Sequence, residues 1–317
     1  MYHLIRKRCF EDARYKKKWL VIVDGTQLYS GQRKLNEHCL ERCCNKGTDK
    51  ETTFYHRGVL EAKIVFGEKL VASIGSEFIE NNGEDRKHQE KMSVEEIKQD
   101  CEIKAFTRLA GRIKKRFPHL PILLLADSLY ASRPVMELCR EYKWEFLIRY
   151  KKGSIPSIAE EYERIPEKGR TEKAEFMNDI DHEGKQVNVL RYRKEKDGET
   201  TEFQWLCSIR ITKGNAEKMA ETGRKRWKIE NEGFNRQKNW QGDITHACSW
   251  DDQAQKNHYL MAQISDFMKQ LYEYYYLEKN GIKKKQKNIS SDLLESFGQQ
   301  ITKEDIFPVD EYTQSYN

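Results

Sequence analysis

The sequence predicts an α/β protein built on a mixed sheet flanked by helices. Continuous apolar runs occur at WLVIVD (19–24), PILLLA (121–126) and EFLIRY (145–150). Such runs mark strands buried on both faces, as in helix-covered parallel sheets. A hairpin pattern at 58–79, turning at Gly67-Glu68, lies between the first and second runs. Helical periodicity separates the runs, so the order is strand, hairpin, helix, strand, helix, strand, which implies parallel pairing within a mixed sheet.

The elements follow in order. Trp19–Asp24 is the first buried strand, closed by Gly25. Residues 25–57 carry Gly, Asn, Cys and mixed charge without periodicity and are expected to form a long loop. A helix is expected over 93–117: Ser93 and Glu96 form a capping box, and Ile97, Cys101, Ala105, Leu109 and Ile113 repeat on one face. Pro118 ends it, and the second strand stops at Asp127. Ser132 with Pro134 opens a short helix before the third strand. Residues 151–212 hold Gly, Pro, charge and two period-2 strands at VNVLRYR and EFQWLCSIRI, which gives a β-rich insertion. Helices resume over about 216–240 and 251–279. Leu260, Ile264, Phe267, Leu271 and Tyr274 mark the apolar side of the second. A basic linker at 281–288 and a weakly amphipathic tail complete the chain.

Lys plus Arg total 57 against 51 Asp plus Glu, a net +6 that permits a polyanionic partner without requiring one. The distribution is more telling: between Lys213 and Lys238 there are eight Lys/Arg and four Glu. No stretch of 18 apolar residues or signal-peptide segment is present, so a cytoplasmic protein with no membrane association and mostly free thiols is expected. His38, Cys39, Cys43 and Cys44, with His56 downstream, have loose spacing and fit an irregular loop with reduced thiols better than a structural zinc site.

Three carboxylates carry the chemistry. Asp24 and Asp127 end the two most apolar runs, where α/β sheets place ligand-facing groups. Glu230 lies in the basic helix, on one face with Arg226; Glu232 is turned away from that face. Each aspartate alone can simply cap a turn, and Arg226–Glu230 can be an ordinary surface pair. Together, three converging carboxylates repel unless a cation lies among them. Oxygen ligands favour Mg²⁺ or Mn²⁺ over zinc. Two such ions can activate water or a 3′-hydroxyl for in-line phosphoryl displacement. Arg224, Lys225, Arg226 and Lys238 are then candidate contacts to a DNA backbone.

The segments VDGTQLYS, LLLADSLYAS and RWKIENEGFNRQKN resemble the three catalytic blocks of DDE transposases of bacterial insertion sequences, and the resemblance covers about residues 18–275. It implies an RNase H-like core in two parts (19–150 and 213–280) around the insertion at 151–212, with a remnant at 1–18 and a linker and tail at 281–317. It further implies metal-dependent DNA strand cleavage and strand transfer at transposon ends and target. The implied catalytic and metal-binding triad is Asp24, Asp127 and Glu230, with two Mg²⁺ or Mn²⁺ ions and a homodimer in a synaptic complex as the matching assembly. Arg226 fits the family's arginine four before the glutamate. The usual tyrosine three before that arginine is Gly223 here, and the lysine expected seven after the glutamate is displaced to Lys238, eight after. Only about 18 residues precede Trp19, so the usual N-terminal DNA-binding region is expected to be missing. The alternatives are a truncated, inactive DNA-binding remnant and an RNase H-like nuclease. Trp205 fits an ordinary core residue better than a platform for a flipped base.

Overall fold

The computed structural model of the chain describes residues 1–68, 70–81, 100–151, 155–196, 198–240, 242–246 and 248–298. Among them, ten strands form one mixed sheet. At its centre β1 (Trp19–Gly31) pairs in parallel with β5 (Ile122–Ala126), and β5 with β6 (Glu145–Arg149). These are the three apolar runs, and their side chains are buried on both faces because helices cover both sides. On its other edge β1 pairs antiparallel with β3 (Thr52–Phe66). The far edge of β3 is shared by β2 (Leu40–Cys44) and β4 (Leu70–Ile79), and β3–β4 is the expected hairpin.

The segment after β6 extends the same sheet. Antiparallel to β6 runs β10 (Glu199–Cys207), followed outward by β9 (Lys185–Lys196), β8 (Ala174–His182) and β7 (Gly169–Arg170). A short helix over Pro156–Arg164 precedes these strands.

Two expectations for the first hundred residues are overturned. Gly25 does not close the first strand, since β1 continues to Gly31, and the expected loop at 25–57 contains β2 and the start of β3. Backbone pairing of β1 with β3 over Gly25–Gly31 sustains these polar stretches, which have no hydrophobic period to betray them. The helix expected from 93 starts at Glu102 in the structure: α1 here denotes Glu102–Arg116, with Cys101 extended and exposed ahead of it. The proposed capping box at Ser93 and Glu96, and Ile97, lie outside the described residues.

The sheet faces are set by alternation. Leu20, Ile22 and Asp24 share one face of β1; Gly25 faces the other, toward α1. The first face is covered by α2 (Ala216–Arg224), a helical run through 225–239, and the long α3 (Asp252–Tyr272). Its core joins Leu20, Ile22, Leu123, Leu125, Leu147, Met219, Ile229 and Phe234. Each such side chain contributes roughly 1.5–3 kcal/mol by leaving water.

The polarity of α3 is opposite to expectation. Its buried residues are Tyr259, Gln263, Asp266, Lys269 and Gln270, while Leu260, Met261, Ile264 and Met268 are exposed. The inversion arises because β3 and β4 present polar groups to this helix. Lys63 Nζ donates to Gln263 Oε1 (2.7 Å), and Gln270 bridges the Val71 amide (2.7 Å) and carbonyl (3.0 Å). Tyr259 donates to Glu61 Oε2 (2.8 Å), which also accepts from Ser76 (2.7 Å). Buried polar groups need such partners, so a matching polar helix face is favoured over an apolar one.

No helix among the described residues is long and apolar enough to cross a membrane. Residues Met1–Leu271 form one compact unit and Tyr272–Asn317 a second; the second contains a helix over Gln286–Gly298 and a Lys284–Asp292 ion pair of 2.6 Å.

Candidate active site

The three carboxylates come from three elements. Parallel register pairs Ile22 with Leu125, so the same register two residues further on sets Asp24 beside Asp127. Neighbouring strands lie about 4.8 Å apart, which makes these residues close neighbours. Asp127 caps the short 3-10 turn Ser128–Tyr130 by accepting from the Leu129 amide at 2.8 Å. Asp24 lies inside β1, and its Oδ1 accepts from the Gly25 amide at 3.0 Å.

Glu230 arrives from the helical run. One guanidinium nitrogen, Arg226 Nη1, sits 3.1 Å from Asp24 Oδ2 and 2.9 Å from Glu230 Oε1. The two carboxylates are therefore within about 6 Å of each other. Arg226 is the link that ties the i,i+4 pair of the helix to the sheet. Glu232 points elsewhere and pairs with Lys228 at 3.6 Å. Among the described residues no three acidic, histidine or cysteine side chains are close enough as they stand to enclose a metal ion. That holds for His38, Cys39, Cys43 and Cys44 as well: Cys39 is buried, while Cys43 is exposed and hydrogen-bonds Glu51.

Electrostatics mark Asp24 as a carboxylate held against its preference. Burial pushes it up to about 7; Arg226 draws it down, and Glu230, Asp127 and Glu102 push it up again. Burial and neighbouring carboxylates disfavour the ionised form, and positive charge or hydrogen-bond donors favour it. An all-oxygen donor set of this kind suits a hard divalent cation, so the residues present fit the metal that their chemistry implies.

Glu102 is a fourth acid not anticipated from sequence. It begins α1 and approaches β1 from the opposite face, so close to Gly25 that a Cβ there would lie 2.5 Å from its carboxylate oxygen. It accepts a hydrogen bond from Tyr130 Oη at 3.0 Å, in the turn that Asp127 caps. Burial raises Glu102, and Asp127 adds to the effect. A glutamate in the first turn of the helix after the hairpin was the available signal, masked by expecting the helix to start nine residues earlier.

The helical run itself departs from α geometry. After 3-10 residues Lys225–Trp227, Ile229–Phe234 form a π-helix, followed by α-helical Asn235–Asn239. An i→i+5 turn holds one residue more than an i→i+4 turn. The eighth residue after Glu230 therefore takes the angular place that the seventh would have on an unbroken α-helix. This accounts for the displaced Lys238. Gln237, the seventh, is fully buried instead and donates to Gln263 and Asp266, both at 2.9 Å. Gly233 permits the close pass of Lys63, whose Cε would be 3.3 Å from a Cβ there.

The missing tyrosine also has a steric cause. A Cβ on Gly223 would lie 2.6 Å from Trp205 Nε1 and 3.2 Å from Leu147 Cδ2. The Trp205 indole, 2% exposed, occupies the space beside residue 223, so Trp205 is a core residue and offers no ring to a base. Lys225 pairs with Glu68 at 2.9 Å on the β3–β4 turn, Arg224 lies over Phe203 at 5.5 Å, and Lys238 is partly exposed. Arg226 is committed to the acids.

The sequence matches the family model described as "Transposase DDE domain" over residues 97–263, a span that contains Asp127 and Glu230 and follows Asp24. No curated protein matches. Among solved structures, the chain is similar to one described as the cryo-EM structure of the piggyBac transposase synaptic complex with hairpin DNA, with TM-score 0.49 and 14% identity over 86% of this chain. The chain spans about half (51%) of that protein's length. With more than half of its residues matched by the family model, the chain belongs to the transposase DDE domain family.

Proposed function

We propose that this chain catalyses divalent-metal-dependent DNA strand cleavage followed by strand transfer, the two chemical steps of DNA transposition. One observation carries the reading: Arg226 links Asp24 to Glu230 in the same corner of the sheet where register sets Asp127 beside Asp24. Asp24, Asp127 and Glu230 would hold Mg²⁺ or Mn²⁺, two ions in the proposed active complex. Bound there, the metal supplies activation of the attacking water or 3′-hydroxyl and charge stabilisation at the leaving oxygen.

The chain's own groups do the rest. Asp24, inside β1, and Asp127, just past the end of β5, come from neighbouring parallel strands, so their spacing would be set by the sheet. Glu230 approaches on a helix whose angular position the π turn defines. Arg226 balances the acids and orients Glu230 toward Asp24. Arg224, Lys225 and Lys238 would meet backbone phosphates; Lys225 would exchange Glu68 for phosphate at little cost, because exposed ion pairs contribute only about 0–1 kcal/mol. The substrate is DNA carrying element ends and a target, with a homodimeric synaptic complex as the proposed assembly and the bacterial cytoplasm as the proposed setting.

Asp24→Asn tests the assignment. It is expected to abolish Mg²⁺-dependent cleavage of element-end DNA while leaving DNA binding intact. Cleavage retained by this variant would remove Asp24 from the catalytic set. Cleavage without any joining of ends would favour a nuclease instead.

A further inference from the structure

We propose that Arg149 and Arg224, both stacked against Phe203, form a subsite for a DNA backbone phosphate neighbouring the scissile one. The inference rests on the proposed function and extends it to residues outside the acid triad.

Position is the first ground. Pairing of β5 with β6 ends at Ala126 and Ile148, so the residues that follow are Asp127 and Arg149. Arg149 thus stands at the end of the third parallel strand where Asp127 stands at the end of the second. It is half-buried, and burial together with the nearby charge of Arg226 lowers its affinity for its proton. Its guanidinium is held in place. Nη1 donates to the Gln204 carbonyl at 3.1 Å and Nη2 to the Glu202 carbonyl at 3.3 Å, and it lies over Phe203 at 4.9 Å and Trp205 at 5.5 Å. Arg224 meets the same Phe203 ring at 5.5 Å from the end of α2.

Charge balance is the second ground. Four other cations here are matched: Arg226 by Asp24 and Glu230, Lys225 by Glu68, Lys228 by Glu232, Arg236 by Asp266. Glu202, the carboxylate whose charge acts on Arg149, already serves Arg191 at 3.3 Å and Arg193 at 3.5 Å. Among the described residues neither Arg149 nor Arg224 makes an ion pair with a carboxylate. A guanidinium carries five donors, and Arg149 spends two on carbonyls. Two guanidinium groups on one ring, neither ion-paired with a carboxylate among the described residues, at the rim of a proposed phosphodiester-cutting site, suit a phosphate: the planar fork matches phosphate oxygens, and in Arg149 carbonyl and ring contacts hold the fork ready.

The test is fluorescence anisotropy of a labelled single-stranded DNA oligonucleotide, with Ca²⁺ replacing Mg²⁺, across a salt series. Arg149→Gln and Arg224→Gln are each expected to weaken binding about five- to tenfold and to flatten the slope of log Kd against log salt by about 0.7. Arg149→Lys should keep the slope. Because Arg149 also holds two carbonyls, Arg224→Gln provides the readout should Arg149→Gln fail to fold. An unchanged Kd and slope in folded Arg224→Gln or Arg149→Gln overturns the subsite. Failure of the unaltered protein to cut DNA would overturn the proposed function instead, so the two failures are distinguishable.

Discussion

Asp24 is where the sequence and the tertiary structure meet most directly. Its side chain is buried by the helical run, so its carboxyl is pushed up to about 7. The unfolded chain ionises it near 3.8. Between these values the folded state holds a proton that the unfolded state has lost. Stability from this group therefore declines as pH rises from about 4 to about 7, then levels off. A bound divalent cation removes the penalty by pairing with the ionised form. The rise in melting temperature on adding Mg²⁺ should accordingly be larger at about pH 8 than at about pH 6. Equal shifts at both pH values, measured by differential scanning fluorimetry, would detach Asp24 from the metal. Lys63 makes a second residue-level case. Fully buried, it lies near buried Glu61, which burial raises and Lys63 lowers. Lys63→Met should cost about 3–5 kcal/mol in urea unfolding, because it strands a buried acid, and Glu61→Gln in the same chain should recover part of that loss.

Among the elements, the π segment Ile229–Phe234 has the most consequence. Its extra residue turns Gln237 inward to the polar face of α3 and moves the lysine from the seventh to the eighth position after Glu230. Deleting exposed Asn231 should return the segment to α geometry and leave the residues after it in the angular places they hold now. Gln237 should then keep Gln263 and Asp266 as partners, with the lysine seven residues after the glutamate. The expected outcome is a folded protein with a nearly unchanged melting temperature in differential scanning fluorimetry; a large drop would show that the segment does not simply absorb one extra residue. The inverted helix α3 follows the same logic. Periodicity located its apolar stripe at Leu260 and Ile264 correctly, yet the stripe is exposed, because the sheet face beneath carries Glu61 and Lys63. Nothing in the helix's own sequence reveals what its partner surface is made of.

At the scale of the whole molecule, the segment after β6 is continuous with the central sheet through β10. Trp205 is the keystone of that junction, filling the space left by Gly223 against Leu147. Trp205→Ala should cost about 3–5 kcal/mol. Because residues 1–271 form one compact unit, the loss should appear as one shifted unfolding transition, seen alike by far-UV circular dichroism and intrinsic fluorescence. An early separate transition of the added strands would show the junction to be weaker than its packing indicates.

The sequence by itself determined the three central strands, the β3–β4 hairpin and the acids at the ends of two apolar runs. Those features are local: a continuous apolar run and the aspartate that ends it are written in adjacent residues. The tertiary structure alone decided the extension of β1 to Gly31, Glu102 beside Gly25, the π turn and the buried polar face of α3. Each depends on what lies opposite in space: a ladder partner, a helix start, a tryptophan indole, a charged sheet face. Side chains separated by up to about 200 positions, such as Arg226 and Asp24, meet only after the sheet has formed. A one-dimensional pattern records which face a residue shares with its neighbours, but not which atoms that face will meet.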